Sequence, residues 1–414
     1  MKLHRRKLLQ GIAASGAAFA LNAPAVLRAQ SAPFKIGLLT VKTGPFAQGG
    51  IQMEQGISTL LKEKNNTLSG RAIELVVADT GGNPANAKTK AQELIERDHV
   101  NVIFGPLAAF ELLAITDYVR DSKMPLISLA AAEDVTQRSA NPFVIRPSAT
   151  SAQCCHAMGE YAAKELKYKR AATISEDFAF GYEQMAGFQR VFEDDGGKVV
   201  KKLWPPLQTP DYTPYIAQIG NVDCVFNGFA GSNPVKFMRA YADLGLKAKI
   251  PLLGGWTAMD DALLHSLGDE AVGVVSAAWY STETDTPANK RFVAAMNKDF
   301  GVLPGGYSAG MYIAGQCIEA VIASGANVND GTALAEALHK ISVADTPRGP
   351  VKFDHLGNVI GDVMIRKCER KADKLVNSIV KIYPNVSQFW TYDEKAFLAA
   401  PVYSRNDPPA KNLE

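Results

Sequence analysis

From Phe34 onward the chain alternates two hydrophobic patterns. Short runs of β-branched and aliphatic residues are separated by longer stretches in which apolar residues recur every three or four positions. The first pattern predicts buried strands and the second amphipathic helices. Phe34–Thr40 reads as a strand, Ala47–Lys64 as a helix and Ile73–Ala78 as the next strand. Asn83 ahead of Pro84 predicts a capped helix start, with the helix running to about Asp98. Asn101–Phe104, a helix ending near Asp121 and Pro125–Leu129 complete three strand–helix units. Such repetition predicts a parallel sheet covered by helices on both faces.

After a short strand, Phe143–Arg146, the alternation restarts. Strands are expected at Ala171–Ser175, Lys198–Trp204, Val222–Phe226, Ile250–Gly254 and Val272–Ala278, with helices over Gly181–Asp194 and from a Ser232 cap. Helices near 289–300, 307–324 and 331–341 follow, then a hairpin of Val351–Phe353 with Val359–Cys368, turned at Asp354–Asn358. A second start of the same architecture predicts two α/β lobes facing across a cleft. Ligands of open α/β sheets sit beyond the carboxyl ends of the strands, so the strand-to-helix loops are where a site is expected.

A length of 414 residues exceeds the usual size of about 100–200 residues for one core, in keeping with two lobes. The 44 basic and 42 acidic side chains leave no basic footprint for nucleic acid. No apolar run reaches the roughly 18–20 residues of a membrane span. The charge is unevenly placed, however: residues 1–29 hold Lys2, Arg5, Arg6, Lys7 and Arg28 and no acid, ahead of an Ala-rich stretch, Gly11–Leu21, and a small residue at Ala29. This predicts an export signal peptide over residues 1–29, and Arg5-Arg6-Lys7-Leu8-Leu9 resembles a twin-arginine signal. Its removal would change the net charge from +2 to 2 − 5 = −3. The five cysteines, an odd number with none in the leader, predict neither a disulfide framework nor a lipid anchor, so the mature chain is expected free in the periplasm.

Local motifs argue against catalysis. Thr43–Gly50 lies where a phosphate loop would sit but lacks the Lys-Ser/Thr pair and the dinucleotide glycine spacing. Gly306-Tyr307-Ser308-Ala309-Gly310 matches a nucleophile elbow, yet the strand that an elbow requires is replaced by Gly301-Val302-Leu303-Pro304-Gly305. Ser308 is therefore expected to pack at a helix start rather than attack a substrate. Cys154-Cys155-His156 cannot chelate one ion from a helix, where adjacent side chains diverge by about 100°. Asp194-Asp195 and Asp260-Asp261 read as solvated helix ends. No metal, cofactor or enzymatic activity is expected.

Several short segments, in order and spacing, carry a family resemblance. They are Gly44-Pro45-Phe46-Ala47, Asp79 with Asn83-Pro84-Ala85, Val102-Ile103-Phe104-Gly105-Pro106, Pro125-Leu126-Ile127-Ser128, Phe143-Val144-Ile145-Arg146-Pro147, and Asp177 with Phe180-Gly181. Over residues 34–390 the chain resembles the leucine/isoleucine/valine-type periplasmic substrate-binding proteins of ABC transporters. The resemblance implies the type I fold, two Rossmann-like lobes with parallel-sheet cores joined by a three-crossing hinge. The lobes would be 34–147 plus 280–346 and 149–278 plus 350–390, with a tail at 391–414. The crossings would fall near Pro147–Ala149, Ala278–Tyr280 and Thr346–Gly349. It also implies a small-molecule ligand, a membrane permease as partner, and action as a monomer.

Where the sequence departs from the family pattern, the resemblance implies a different ligand. Amino-acid binders of this family grip the α-carboxylate with Ser and Thr hydroxyls in two loops, which here are Leu107-Ala108-Ala109 and Ala130-Ala131-Ala132. Trp256 stands where an acid meets the α-ammonium, Phe180 replaces a tyrosine, and Phe229-Ala230 fall in the loop after Val222–Phe226. A buried unpaired ammonium costs several kcal/mol, which disfavours a zwitterion. The expected ligand is a small aromatic carboxylate of benzoate or hydroxycinnamate type, its acid on backbone amides near helix starts and its ring among Phe46, Phe180, Phe229 and Trp256. A branched-chain amino acid or small amide is the alternative.

Overall fold

Two sheets divide the chain, and the computed structural model describes them over residues 32–409 and 411–414. The expected signal peptide lies outside the described residues. The first sheet contains β1 (Phe34–Thr40), β2 (Thr67–Leu68), β3 (Arg71–Asp79), β4 (Val102–Phe104), β5 (Leu126–Ile127) and β6 (Val144–Ile145), in the order β2-β3-β1-β4-β5-β6. Parallel pairing sets Phe34 opposite Ile73 and Ile36 opposite Val102. β1 and β4 read as near-continuous apolar runs because both faces are covered, whereas β3 is partly exposed along its length. The covering helices are α1 (Ala47–Glu63), α2 (Pro84–Gln92) and α3 (Ala109–Asp121). Asn83 caps α2 as expected, its side chain accepting the amides of Ala85 and Asn86 at 2.9 and 3.1 Å.

The second lobe starts with α4 (Ser151–Glu160), capped reciprocally by Thr150 and Gln153. Its sheet contains β7 (Arg170–Ile174), β8 (Lys198–Leu203), β9 (Cys224–Asn227), β10 (Leu252–Gly254) and β11 (Val275–Ala278), all parallel. Between them lie α5 (Ala179–Asp194), the short α6 (Thr213–Ile216) and α7 (Asn233–Asp243). Ser232 precedes α7 without capping it; its amide is drawn instead to the Pro45 carbonyl of the first lobe, 3.2 Å away. The chain then returns to the first lobe with α8 (Pro287–Phe300), α9 (Gly306–Ala323) and α10 (Gly331–Lys340). α9 lies so close to α1 that a Cβ on Gly56 would stand 2.0 Å from the Ser308 carbonyl oxygen.

After α10 come β12 (Ser342–Val343), β13 (Val351–Phe353) and β14 (Val359–Lys371), the last of these antiparallel to β11. The hairpin of β13 and β14 forms as expected, with Phe353 opposite Val359. A further strand, β15 (Lys374–Val386), pairs only with β14. Beyond it the chain forms a strap containing α11 (Glu394–Ala399). The strap touches both lobes. Arg138 of the first donates to the carbonyls of Phe397 at 2.7 Å and Ala400 at 2.8 Å. In the second lobe His156 meets the Tyr403 hydroxyl at 3.0 Å, and Arg190 lies 3.8 Å from the Tyr392 ring centre. Among the described residues no helix is long and apolar enough to cross a membrane.

Candidate ligand-binding cleft

The carboxyl ends of the two sheets face each other, and the loops leaving them surround about 410 Å³ of space free of protein atoms, part of it open to solvent. The first lobe supplies Phe46 after β1, Leu107, Ala108 and Ala109 after β4, Leu129, Ala130 and Ala131 after β5, and Tyr307 from the start of α9. Ala149 comes from the first crossing and Ser151 from the start of α4. The second lobe supplies Phe178 and Phe180 after β7, Ala230 after β9 and Trp256 after β10. The rings meet across the lobes: Phe46 and Phe178 edge to face at 6.4 Å, Phe110 and Phe178 at 5.7 Å, Trp256 and Tyr307 at 5.0 Å.

Nine of the eleven residues expected from sequence thus line one cavity: Phe46, Leu107, Ala108, Ala109, Ala130, Ala131, Phe180, Ala230 and Trp256. Phe229 lies elsewhere, its ring against Tyr212 at 5.1 Å and Phe237 at 5.0 Å in the core of the second lobe. Ala132 stands behind the wall in a left-handed conformation, φ 77°, with its amide directed to Glu183. Leu129, Ala149, Ser151, Phe178 and Tyr307 line the cavity without having been anticipated. A signal existed for two of them: Phe178 shares the loop of Phe180, and Tyr307 begins a helix after the break at Gly305-Gly306.

A ring of buried carboxylates holds the loops. Glu111 accepts the Ala108 amide at 3.1 Å and the Thr80 hydroxyl. Glu183 accepts the amides of Ala132 and Glu133 at 3.1 and 2.9 Å, while Glu133 accepts that of Ala152. Glu176 accepts the Ala230 amide at 3.0 Å and the Asn233 side-chain amide at 3.1 Å. Burial holds all four above the ordinary carboxylate range, Glu176 at about 7, and the charge of Glu133 adds to the effect on Glu183. In the two Ala-rich loops, whose backbone amides were expected to hold the acid of a ligand, those of Ala108 and Ala132 are thus already occupied by the protein's own carboxylates, as is that of Ala230. The amides of Ala109 and Ala131 have no partner among the described residues.

Asp260 and Asp261 correct the expectation of solvated helix ends, for both are buried. Asp261 pairs with Arg366 at 3.2 Å and accepts from Asn377 at 2.6 Å. Asp260 accepts the amides of Ala262 at 2.9 Å and, across the lobes, Gly306 at 2.8 Å; burial raises it to about 6. Ser308 is buried, and its hydroxyl is bonded to the Gly305 backbone at 3.0 Å.

Two α/β lobes closing on a small apolar cavity, with a chain that crosses between them three times, define a hinged binder of small molecules. Residues 33–373 match the family described as periplasmic binding protein, and the chain belongs to that family. It is similar to the Leu/Ile/Val-binding protein homolog 6 of Brucella suis, at 29% identity over 332 residues, 77% of this chain and 83% of that protein. A solute-binding protein of an ABC transporter from Rhodopseudomonas palustris BisB5, solved in complex with 3,4-dihydroxybenzoic acid, is 32% identical with a TM-score of 0.82, covering 86% of this chain and 98% of that one. Another from R. palustris, solved with 4-hydroxybenzoate, is 28% identical with a TM-score of 0.80, again covering 86% and 98%. Members of the family bind ligands and work with a membrane permease; they are not enzymes.

Proposed function

We propose that the protein captures a small aromatic carboxylate, of benzoate or hydroxycinnamate type, between its lobes and delivers it to the permease of an ABC importer. It does so as a monomer in the periplasm, after loss of residues 1–29. The observation that carries this reading is the cavity wall: rings, alanines and two leucines, with Ser151 the one aliphatic hydroxyl and no carboxylate among the lining residues. Glu176 and Asp260 each already accept two N–H groups from the protein itself, and neither is among the lining residues. Ring contacts contribute about 0.5–1.5 kcal/mol each beyond burial. The acid is held at the amides of Ala109 and Ala131. Segments near 147–149, 278–280 and 346–349 serve as hinge crossings between lobes of 34–147 plus 280–346 and 149–278 plus 350–390. A ligand touching both lobes favours the closed state by its differential affinity, and the closed face is what the permease reads. Two relatives that hold hydroxylated benzoates support the ligand class.

Calorimetry of the purified protein with 4-hydroxybenzoate, benzoate and leucine tests it. At least one aromatic acid binds far more tightly than leucine, and at 100 times its dissociation constant it stabilises the fold by about 2.7 kcal/mol. Equal or tighter binding of leucine overturns the reading in favour of a branched-chain amino acid.

A further inference from the structure

The loop of the second lobe that carries Trp256 also carries Asp260, and both bear on one turn of the first lobe. Trp256, in the cavity wall, lies so close to Gly306 that a Cβ there would stand 2.6 Å from its ring. Asp260 accepts the Gly306 amide at 2.8 Å through Oδ2, and the Ala262 amide of its own lobe at 2.9 Å through Oδ1. Oδ1 has a second neighbour. Asp260 Oδ1 and the side-chain oxygen of Gln52, on α1, lie 1.8 and 2.4 Å from where a Cβ on Gly305 would stand. The two oxygens therefore share the space beside one glycine, within a small side-chain adjustment of hydrogen-bond range. Gln52 Oε1 is buried and has no hydrogen-bond partner among the described residues.

Two acceptors with no hydrogen between them repel, and a buried acceptor left unmatched is costly. One proton on the Asp260 carboxyl removes both penalties, because a protonated carboxyl donates through one oxygen and still accepts through the other. The groups around it leave room for that proton. Arg366 of β14 is paired with Asp261, and burial holds the phenols of Tyr280, at the second crossing, and Tyr307, on α9, protonated. We infer that Asp260 is the positioning residue of a proton-dependent latch. In its neutral form it accepts from Gly306 and donates to Gln52, tying α9 and α1 to the second lobe, so that ligand capture takes up a proton. The inference rests on the aromatic-acid reading only for its choice of probe. Burial raises the carboxyl to about 6 in the closed form. When the lobes part, water replaces Gly306 and Gln52, and it returns toward its ordinary 3.8. Between those values the closed form holds more protons than the open one, so closure and affinity gain as pH falls.

The test is calorimetry with 4-hydroxybenzoate at about pH 5.5 and 7.5, in buffers of different ionisation enthalpy, a range over which the ligand's acid stays ionised. The wild type is expected to bind about fourfold tighter at the lower pH and to take up roughly 0.7 of a proton per ligand there. In Asp260→Asn, which offers a donor and an acceptor without titrating, both the gain and the uptake disappear. In Gln52→Met, which removes the acceptor of the proton, most of the gain is lost. Thermal melting checks that each variant is folded. A wild type with neither gain nor uptake overturns the latch whether or not the variants fold. That is also the result if the Gln52 amide turns its NH₂ toward an ionised carboxylate. A full gain in Asp260→Asn places the proton elsewhere, and a full gain in Gln52→Met removes the bridge; either overturns the latch. Failure of the wild type to bind 4-hydroxybenzoate or benzoate overturns the aromatic-acid reading instead, and the same titrations with leucine then decide the latch.

Discussion

Glu176 carries a consequence at the scale of a single residue. Its carboxyl titrates at about 7 in the folded chain against an ordinary 4.5, because burial outweighs the bonds from Ala230 and Asn233. Between those values the folded protein binds more protons than the unfolded one, so this group's contribution to stability declines as pH rises through about 4.5 to 7. Glu176→Gln keeps an acceptor for the Ala230 amide and removes the titration. Urea unfolding at pH 4.5 and 8 is expected to show the balance moving toward the variant by roughly 2–3 kcal/mol as pH rises; a constant gap refutes the assignment. Residues of this kind were poorly legible in the sequence. Asp260 and Asp261 look like solvated helix ends because the partners that bury them, Gly306 and Arg366, arrive from distant parts of the chain. Phe229 has the apolar character of its loop neighbours, and only the presence of Tyr212 and Phe237 turns its ring into the core.

At the scale of elements, strong periodicity made most of the fold legible. β1 begins and ends where its apolar run does, and α8 to α10 fall within a few residues of their patterns. β15 was hidden. As an edge strand it pairs on one side only, and Lys374, Asn377 and Lys381 break its alternation into something resembling a loop. The α1–α9 contact was equally silent, since it depends on one missing side chain. Gly56→Ala places a methyl group 2.0 Å from a backbone oxygen and 2.8 Å from the Ser308 Cα, with no flexible side chain to yield. The two helices must separate, and the expected loss is about 1–3 kcal/mol by denaturant unfolding. A variant as stable as the wild type contradicts the packing described.

For the whole molecule, the decisive contacts are those that exist only when the lobes meet. Gly231, at φ 63°, lies under Pro45 of the other lobe, and a Cβ there would stand 2.3 Å from the Pro45 carbonyl oxygen. Gly231→Ala is expected to hold the lobes apart, lowering ligand affinity at least about tenfold, a loss of some 1.4 kcal/mol, and abolishing the compaction on ligand addition that small-angle scattering is expected to record for the wild type. Unchanged compaction with ligand would refute that role. The two-lobed plan and most of the cavity were legible because loops after strands are fixed by the elements around them. How the loops are pinned was not, since the buried carboxylates that hold them reach amides three to fifty-four positions away. The wrapping of α9 over α1 also bears on how the chain is made. At about 5–20 residues per second, the 260 residues from Glu63 to Ala323 take on the order of 10–50 s to synthesise. During that interval Met53, Ile57 and Leu60, all fully buried in the finished protein, have no α9 to cover them. For most of its synthesis the nascent chain therefore leaves this face of α1 without its final cover, because the helix layer is completed only after the chain returns from the second lobe.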